Sequence, residues 1–319
     1  MKLCSLFAGI GGIDLAFAQE GFELVWANEF DGDACKTYMH NFPDEVLSDA
    51  DIRDVNASEI PDFDILTAGF PCQSFSVCGK QKGFEDERGN LFFEIMRIAD
   101  EKHPEIIFLE NVANLTKHDD GRTFERISSE LSERDYKIKY LVADACNYGI
   151  PQHRTRIYIV AFKDEEKYCR FTFPKEVPLQ RNIFDVINRT VMAEDKFYLE
   201  VASARFKRMN AAMLDDEQIY RFADYGIQAG KDGISFTLKA NMGTWYNRVP
   251  IIKDDFGIRE ITPKECLALQ GFPEKFDFPD IPIKSMYKQS GNTVVVPLVR
   301  QIASQIKILY KTGGNLHGD

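Results

Sequence analysis

The order of residue patterns predicts an α/β fold, a mostly parallel sheet covered by helices, with a second and smaller domain. Three observations predict it. Short apolar runs alternate with helical periodicity from the first residues to about residue 187. A glycine-rich turn joins the first apolar run to the first helical one. The alternation then fails over residues 188–274, where loops, glycine turns such as Gly226–Gly233 and the aromatics Trp245 and Tyr246 take over.

Each element has its own signal. Leu3–Phe7 is a short apolar strand, Ala8–Gly12 a turn, and Ile13–Gln19 a helix. Glu23–Asn28 reads as a second strand, with a helix from about Asp33. Phe63–Ala68 is a buried strand, and Leu91, Ile95 and Ile98 fall at helical spacing in Leu91–Glu101. Glu105–Glu110 is an apolar strand ended by a polar pair, and Arg122–Arg134 is helical. Tyr136–Ala143 and Arg156–Phe162 are further strands. Near the end, Val295, Val299, Ile302 and Ile306 share one helical face that needs a core to pack on. The expected domains are 1–187 joined with 275–319, and 188–274.

Composition narrows the function classes. A chain of 319 residues with 44% hydrophobic content buries a core without staples. Its seven cysteines are odd in number and form no CxxC pair, so neither a disulfide framework nor a zinc site is expected. The first residues lack the long apolar stretch of a signal peptide, and no apolar run is long enough to span a membrane. A cytoplasmic location is expected. The net charge of −11 argues against a nucleic-acid partner when taken for the whole chain. Residues 188–274 are nearly balanced, however, with 12 basic against 13 acidic residues. Phosphate contacts need a local basic surface, not a basic protein.

The chemistry-bearing motifs sit where strands end. Phe7-Ala8-Gly9-Ile10-Gly11-Gly12 follows the first strand, where glycines let the backbone turn and approach a ligand. Glu29 lies 20 residues beyond Gly9, at the end of the second strand. An acid in that place accepts hydrogen bonds from a ribose in doubly wound folds. A nucleotide-like ligand and a purely structural turn are both open on this pattern alone. Another strand ends in Gly69-Phe70-Pro71-Cys72-Gln73, and the next in Glu110-Asn111-Val112. Ligands bind at such carboxyl ends. Cys72 is therefore a candidate nucleophile and Glu110 a candidate acid, although a lone Cys is more often buried and inert and a strand-end Glu more often solvated. Gln152-His153-Arg154-Thr155-Arg156 opens a further strand, and alternate positions there point to one side. Its two arginines suit a carbonyl oxygen or phosphates, or a surface salt bridge.

In set and order these blocks resemble the bacterial DNA cytosine C5-methyltransferases of the restriction-modification type. The matching stretches are FAGIGG, GFPCQ, ENV and QHRTR, with REITPKECLALQGFP at 259–273 and GNTV at 291–294. GKQKGFEDERGNLFF at 79–93 resembles that family's mobile catalytic loop. The resemblance spans nearly the whole chain outside the recognition region. It implies a Rossmann-like S-adenosylmethionine-dependent methyltransferase fold with a target-recognition domain.

By that resemblance Cys72 attacks C6 of a flipped-out cytosine, because C5 alone is too weak a nucleophile to take a methyl group. Glu110 engages N3 and the exocyclic amine, Arg156 contacts O2, and Arg154 lies near the nucleophile and the flipped nucleotide. The cofactor residues implied are Phe7, Gly9, Gly11 and Gly12 in the turn, Glu29 on the ribose and Phe30 after it. Asp51 and Ile52 serve the adenine, and Pro71, Leu91 and Asn292 line the remainder. Gln73 contacts the target backbone. Where the family loop carries a Ser that fills the space left by the base, this chain has Cys78. Thr237 and Leu238 match the family's Thr-Leu pair, with Lys239, Asn241, Tyr246 and Arg248 as candidate readers of base edges. Implied partners are S-adenosylmethionine and duplex DNA, with no metal, a monomeric state, and a cognate restriction endonuclease acting separately. An RNA methyltransferase on the same scaffold and a non-catalytic DNA-binding module are the alternatives. The first would carry the Cys-Phe-Thr element of the tRNA-directed members, which this sequence lacks; the second predicts a lost Cys, Glu or Arg, and all are present.

Overall fold

The computed structural model describes residues 1–70, 91–223, 226–244 and 248–311, with the backbone alone at 311. The chain divides into two compact units. One comprises 1–143, 155–174 and 298–319; the other comprises 144–154 and 175–297.

The first unit is built on a seven-stranded sheet. Its strands are β1 (Lys2–Leu6), β2 (Glu23–Asn28), β3 (Leu47–Ser48), β4 (Ile65–Ala68), β5 (Ile106–Val112), β6 (Lys137–Asp144) and β7 (Thr155–Phe162), in the order β3-β2-β1-β4-β5-β7-β6. From β3 through β5 the pairing is parallel, and β7 runs antiparallel to β5. The strand order reverses between β1 and β4, so the carboxyl ends of these two strands flank the crevice where doubly wound sheets take ligands. Helices α1 (Gly12–Gln19), α2 (Gly32–Asn41), α3 (Leu91–Lys102), α4 (Arg122–Ser132) and α5 (Glu165–Arg170) connect or follow the strands.

Alternation along the strands sorts the core into two layers. Cys4 and Leu6, Leu66 and Ala68, and Ile107 and Leu109 face one layer with Phe92, Ile95 and Met96 of α3 and Ile127 and Leu131 of α4. Phe108 points the other way and meets Phe17 of α1, ring centroids 5.4 Å apart. Every residue of β4 is buried, as a central parallel strand requires.

The second unit carries α6 (Ala204–Ala212), β8 (Tyr220–Ala223), β9 (Gly226–Ala229), β10 (Ile251–Asp254), β11 (Gly257–Glu260), α7 (Pro263–Leu269) and α8 (Ile283–Asn292). Its four strands form an antiparallel sheet in the order β11-β10-β8-β9. The irregular loops expected over 188–274 thus include a small sheet. Its four-residue strands are too short for alternation to stand out from the flanking turns.

The boundaries also differ from those expected. Residues 144–154, 175–187 and 275–297 belong to the second unit, and the chain rejoins the first at Leu298, inside α9 (Val296–Lys311). Buried polar contacts explain the shift. Tyr287 of α8 donates to the Ile261 carbonyl (2.7 Å), and Gln270 Nε2 donates to that of Ser290 (2.9 Å). Gln152 donates to the Leu269 carbonyl (3.0 Å). Gly291 passes so close to Lys239 that a Cβ would sit 2.2 Å from its carbonyl carbon. No helix among the described residues is long and apolar enough to cross a membrane.

Candidate active site

The turn after β1 is a strained feature at a strand end. Phe7 adopts φ 55°, a left-handed conformation uncommon for a non-glycine residue. Gly11 caps α1 at φ 83°, and a Cβ there would lie 2.4 Å from the Phe42 ring. Only glycine fits both the angle and the space. Beneath the turn Asp14 is fully buried and accepts from the Tyr38 hydroxyl (2.9 Å), which ties α1 to α2. Burial pushes the Asp14 carboxyl up to about 6, against the hydrogen bonds from Ser5 and Tyr38.

Glu29 is fixed at the end of β2 by backbone donors. Its Oε2 accepts from Gly9 N (2.8 Å), and its Oε1 from Phe30 N (2.9 Å) and Asp31 N (2.7 Å). The carboxylate therefore links the glycine turn to the start of α2. Phe30 is 69% exposed, an open aromatic face beside that acid. A Cβ at Gly9 would meet nothing within 4 Å, so the turn borders open space. A fixed acceptor, an open ring and a cradle over a glycine turn fit a nucleoside such as that of S-adenosylmethionine.

Asn28 Nδ2 donates to the carbonyls of Ser48 (3.1 Å) and Ala50 (2.8 Å), which sets the segment leading to Asp51. Both Asp51 oxygens accept from the Arg53 guanidinium, and Oδ1 also accepts from Arg53 N (3.0 Å). These bonds pull the Asp51 carboxyl down to about 2. Ile52 is buried in the core, and Leu91, the first residue of α3, is half-buried against the same core. Asn292 is exposed at the end of α8, in the second unit.

The candidate acid Glu110 stands at the end of β5. Glu110 is 8% exposed, and its Oε1 lies 3.2 Å from Arg156 Nε, on the adjacent antiparallel strand. A Cβ on Gly69, the residue after β4, would be 3.7 Å from Glu110 Oε2. Asn111 Nδ2 donates to the Phe70 carbonyl (2.8 Å). That bond ties the end of β5 to the residue two before Cys72. Pro71, Cys72, Gln73 and Cys78 lie outside the described residues.

The two arginines of QHRTR part company. β7 begins at Thr155, so the alternation of a strand does not extend back to Arg154. Arg154 is 2% exposed and donates to the carbonyls of Leu238 (2.9 Å), Gly291 (3.1 Å) and Thr293 (2.5 Å). It is a buried clasp within the second unit, whereas Arg156 faces Glu110. Leu238 is likewise a core residue, 1% exposed, whose N–H donates to Gln152 Oε1 (3.2 Å). Thr237 Oγ1 donates to the His153 carbonyl. The Thr-Leu pair therefore anchors this unit, and the Leu238 side chain offers nothing to a base. Arg248 is half-buried, and its charge together with burial pulls the neighbouring Arg221 guanidinium below its ordinary range.

Comparison with known proteins decides the family. The model of the C-5 cytosine-specific DNA methylases matches residues 1–308. The chain belongs to that family. It therefore transfers a methyl group from S-adenosylmethionine to C5 of cytosine in DNA. The methylase is 47% identical over 310 residues to the Type II methyltransferase M.Bsp6I of Bacillus sp. (strain RFL6), covering 96% of this chain and 98% of that one. It is 36% identical over 319 residues to the Type II methyltransferase M.HhaI of Haemophilus parahaemolyticus, covering 96% and 94%. Among solved structures, a DNMT2 mutant of Spodoptera frugiperda shares the fold at a TM-score of 0.76 and 20% identity, covering 96% of this chain and 99% of that one.

Two residues that hold the segments around the candidate site were not singled out from sequence. Asn111 holds Phe70, and Asn28 holds the approach to Asp51. Both are buried amides at strand ends, where an unpaired polar group is costly. A polar residue closing an apolar strand was the available signal.

Proposed function

We propose that the methylase modifies one cytosine within a specific duplex DNA sequence, as the modification enzyme of a Type II restriction-modification system, through a covalent bond from Cys72 to C6. The observation that carries this reading is the Glu110–Arg156 pair, buried at the end of β5 and tied by Asn111 to the segment that leads into Cys72. Its relatives at 36–47% identity, all Type II methyltransferases, support the restriction-modification setting.

The Cys72 thiolate adds to C6, and the electron pair of the C5–C6 bond becomes available at C5. S-adenosylmethionine supplies an electrophilic methyl group. Glu110 holds N3 and the exocyclic amine, and a proton on its carboxyl is shared with N3, so the ring accepts the added charge. Arg156 retains N–H donors beyond its bond to Glu110 and holds O2. A base then takes the C5 proton, the C5–C6 double bond returns, and the bond from sulfur to C6 breaks. Glu29, Phe30, Asp51, Ile52, Leu91 and the Phe7–Gly12 turn hold the methyl donor, with Pro71 beside them. Gln73 contacts the target backbone, and Cys78 takes the place of the family Ser that fills the space the extruded base leaves. Arg154 is a positioning residue.

Target recognition belongs to the second unit. Arg221 and Arg248 repel one another, and a DNA phosphate or guanine edge relieves that repulsion. A duplex carrying 5-fluorocytosine at the target tests the covalent step, because no C5 proton can leave. Mass spectrometry is expected to place one trapped adduct on Cys72; an adduct on another residue, or none, refutes the mechanism.

A further inference from the structure

The second unit brings together a thiol, an imidazole and a carboxylate that the methyl-transfer reaction does not use. Cys146 Sγ lies 3.5 Å from His153 Nδ1, and the same Nδ1 lies 3.0 Å from Asp144 Oδ2. One ligand atom from each of the three residues falls within 4.8 Å of the others. A tetrahedral metal with bonds of about 2.0 Å to nitrogen or oxygen and about 2.3 Å to sulfur sets its N and S donors about 3.5 Å apart, and its N and O donors about 3.3 Å apart. The first separation is already present, and the second needs a few tenths of an ångström.

The geometry points to a binding site for a thiophilic divalent cation, of the Zn²⁺ class, held by Asp144, Cys146 and His153. The donor set, one thiolate, one imidazole and one carboxylate, is the kind that selects such ions over Mg²⁺ or Ca²⁺. Access is open, because the His153 side chain is 54% exposed and that of Asp144 25%. A cavity reaching Cys146, bordered by Asn147, Glu176 and Val177, leaves room for water as a fourth ligand. The second Asp144 oxygen accepts from Arg154 N (2.7 Å), which orients the carboxylate as a partner behind a metal ligand should.

The three residues contain no CxxC pair, the spacing that signals a zinc site in a sequence. The ligands are spaced two and seven residues apart and meet only when the chain doubles back before β7. Binding requires the Nε2–H tautomer of His153, which frees the Nδ1 lone pair. It also releases the Cys146 thiol proton to solvent as the sulfur–metal bond forms. Burial, with the Asp144 charge, pushes the Cys146 thiol up to about 11, so that proton is present in the metal-free protein. Occupancy cross-links both ends of the 144–154 segment and braces the unit that Arg154 clasps.

The test uses the full-length methylase, stripped with a chelator and titrated with Co²⁺ and then Zn²⁺. The expected result is one thiolate-to-cobalt charge-transfer band per chain that Zn²⁺ abolishes, one proton released per Zn²⁺, and a rise in Tm with Zn²⁺. Cys146→Ser should lose the band, and both Cys146→Ser and His153→Gln should bind Zn²⁺ at least about a hundredfold more weakly. Cys169→Ser, at an exposed cysteine elsewhere, should bind as the parent does. Retained calorimetric binding of S-adenosylmethionine shows that each variant is folded, and His153→Gln serves if Cys146→Ser is not. Absence of the band from the parent, or its persistence in Cys146→Ser, overturns the site.

Discussion

Both units of the methylase bury carboxyl groups, and they treat them in opposite ways. In the first, Asp14 lies under the glycine turn, where burial outweighs the hydrogen bonds from the Ser5 and Tyr38 hydroxyls and its affinity for a proton rises to about 6. In the second, Asp254 and Glu265 flank Arg259, whose side chain is 1% exposed. Arg259 Nε donates to Asp254 Oδ2 (2.5 Å), and Nη1 and Nη2 to the two Glu265 oxygens (2.7 Å each). Burial works against the charge on Arg259, but the Glu265 and Asp254 carboxylates more than reverse it and hold the guanidinium above its ordinary range. Glu110 lies between these cases: it is buried in the first unit with the Arg156 guanidinium at 3.2 Å. A carboxyl that must engage a substrate cannot be fully committed to a protein cation. One that must hold a fold together has to be.

Three variants sharpen that contrast. The largest effect is expected for Glu110→Gln. It keeps the shape but cannot share a proton with N3, so turnover should fall by about 10²–10⁴-fold. Binding of S-adenosylmethionine, measured by calorimetry, should change little; a kcat within a few-fold of the parent would show that Glu110 is only structural.

Arg259→Met leaves the buried Asp254 and the half-buried Glu265 without that cation. Removing one member of a buried ion pair costs about 3–5 kcal/mol, so urea unfolding should show a loss of that order. Little change in the midpoint would mean that the network contributes nothing to holding the second unit.

The smallest effect is expected for Asp14→Asn. Because the folded protein raises the Asp14 pKa, it keeps a proton that the unfolded chain gives up at lower pH. The contribution of this group to stability is therefore greatest at low pH and is lost as pH rises to about 6 and beyond. Between pH 5 and 7 the parent should lose about 1 kcal/mol relative to Asp14→Asn. Parallel pH dependences for the two proteins would contradict the assigned proton.

The same contrast explains what could be read in advance. The strands and helices of the first unit follow from short apolar runs and helical spacing, and β1, β2, β4, β5 and β7 fall close to where those patterns put them. The places of Phe7–Gly12, Glu29 and Glu110 at strand ends, where such folds take ligands, were legible in those runs. Arg154 was not. Nothing within QHRTR distinguishes an arginine that grips three carbonyls from one that faces Glu110. Those carbonyls belong to residues 84 to 139 positions further along the chain. The return of 275–297 to the second unit was hidden for the same reason, since Tyr287 and Gly291 act through residues far away in sequence.

By itself the sequence determined the strand and helix order, the glycine turn and the block that contains Cys72, because periodicity and turn chemistry act over a few residues. Only the tertiary structure decided which polar side chains are clasps, which face the reaction, and that Asp144, Cys146 and His153 converge. The partner of a buried polar group is whichever group the fold brings within about 3 Å, and that distance is set by the packing of segments far apart in the chain.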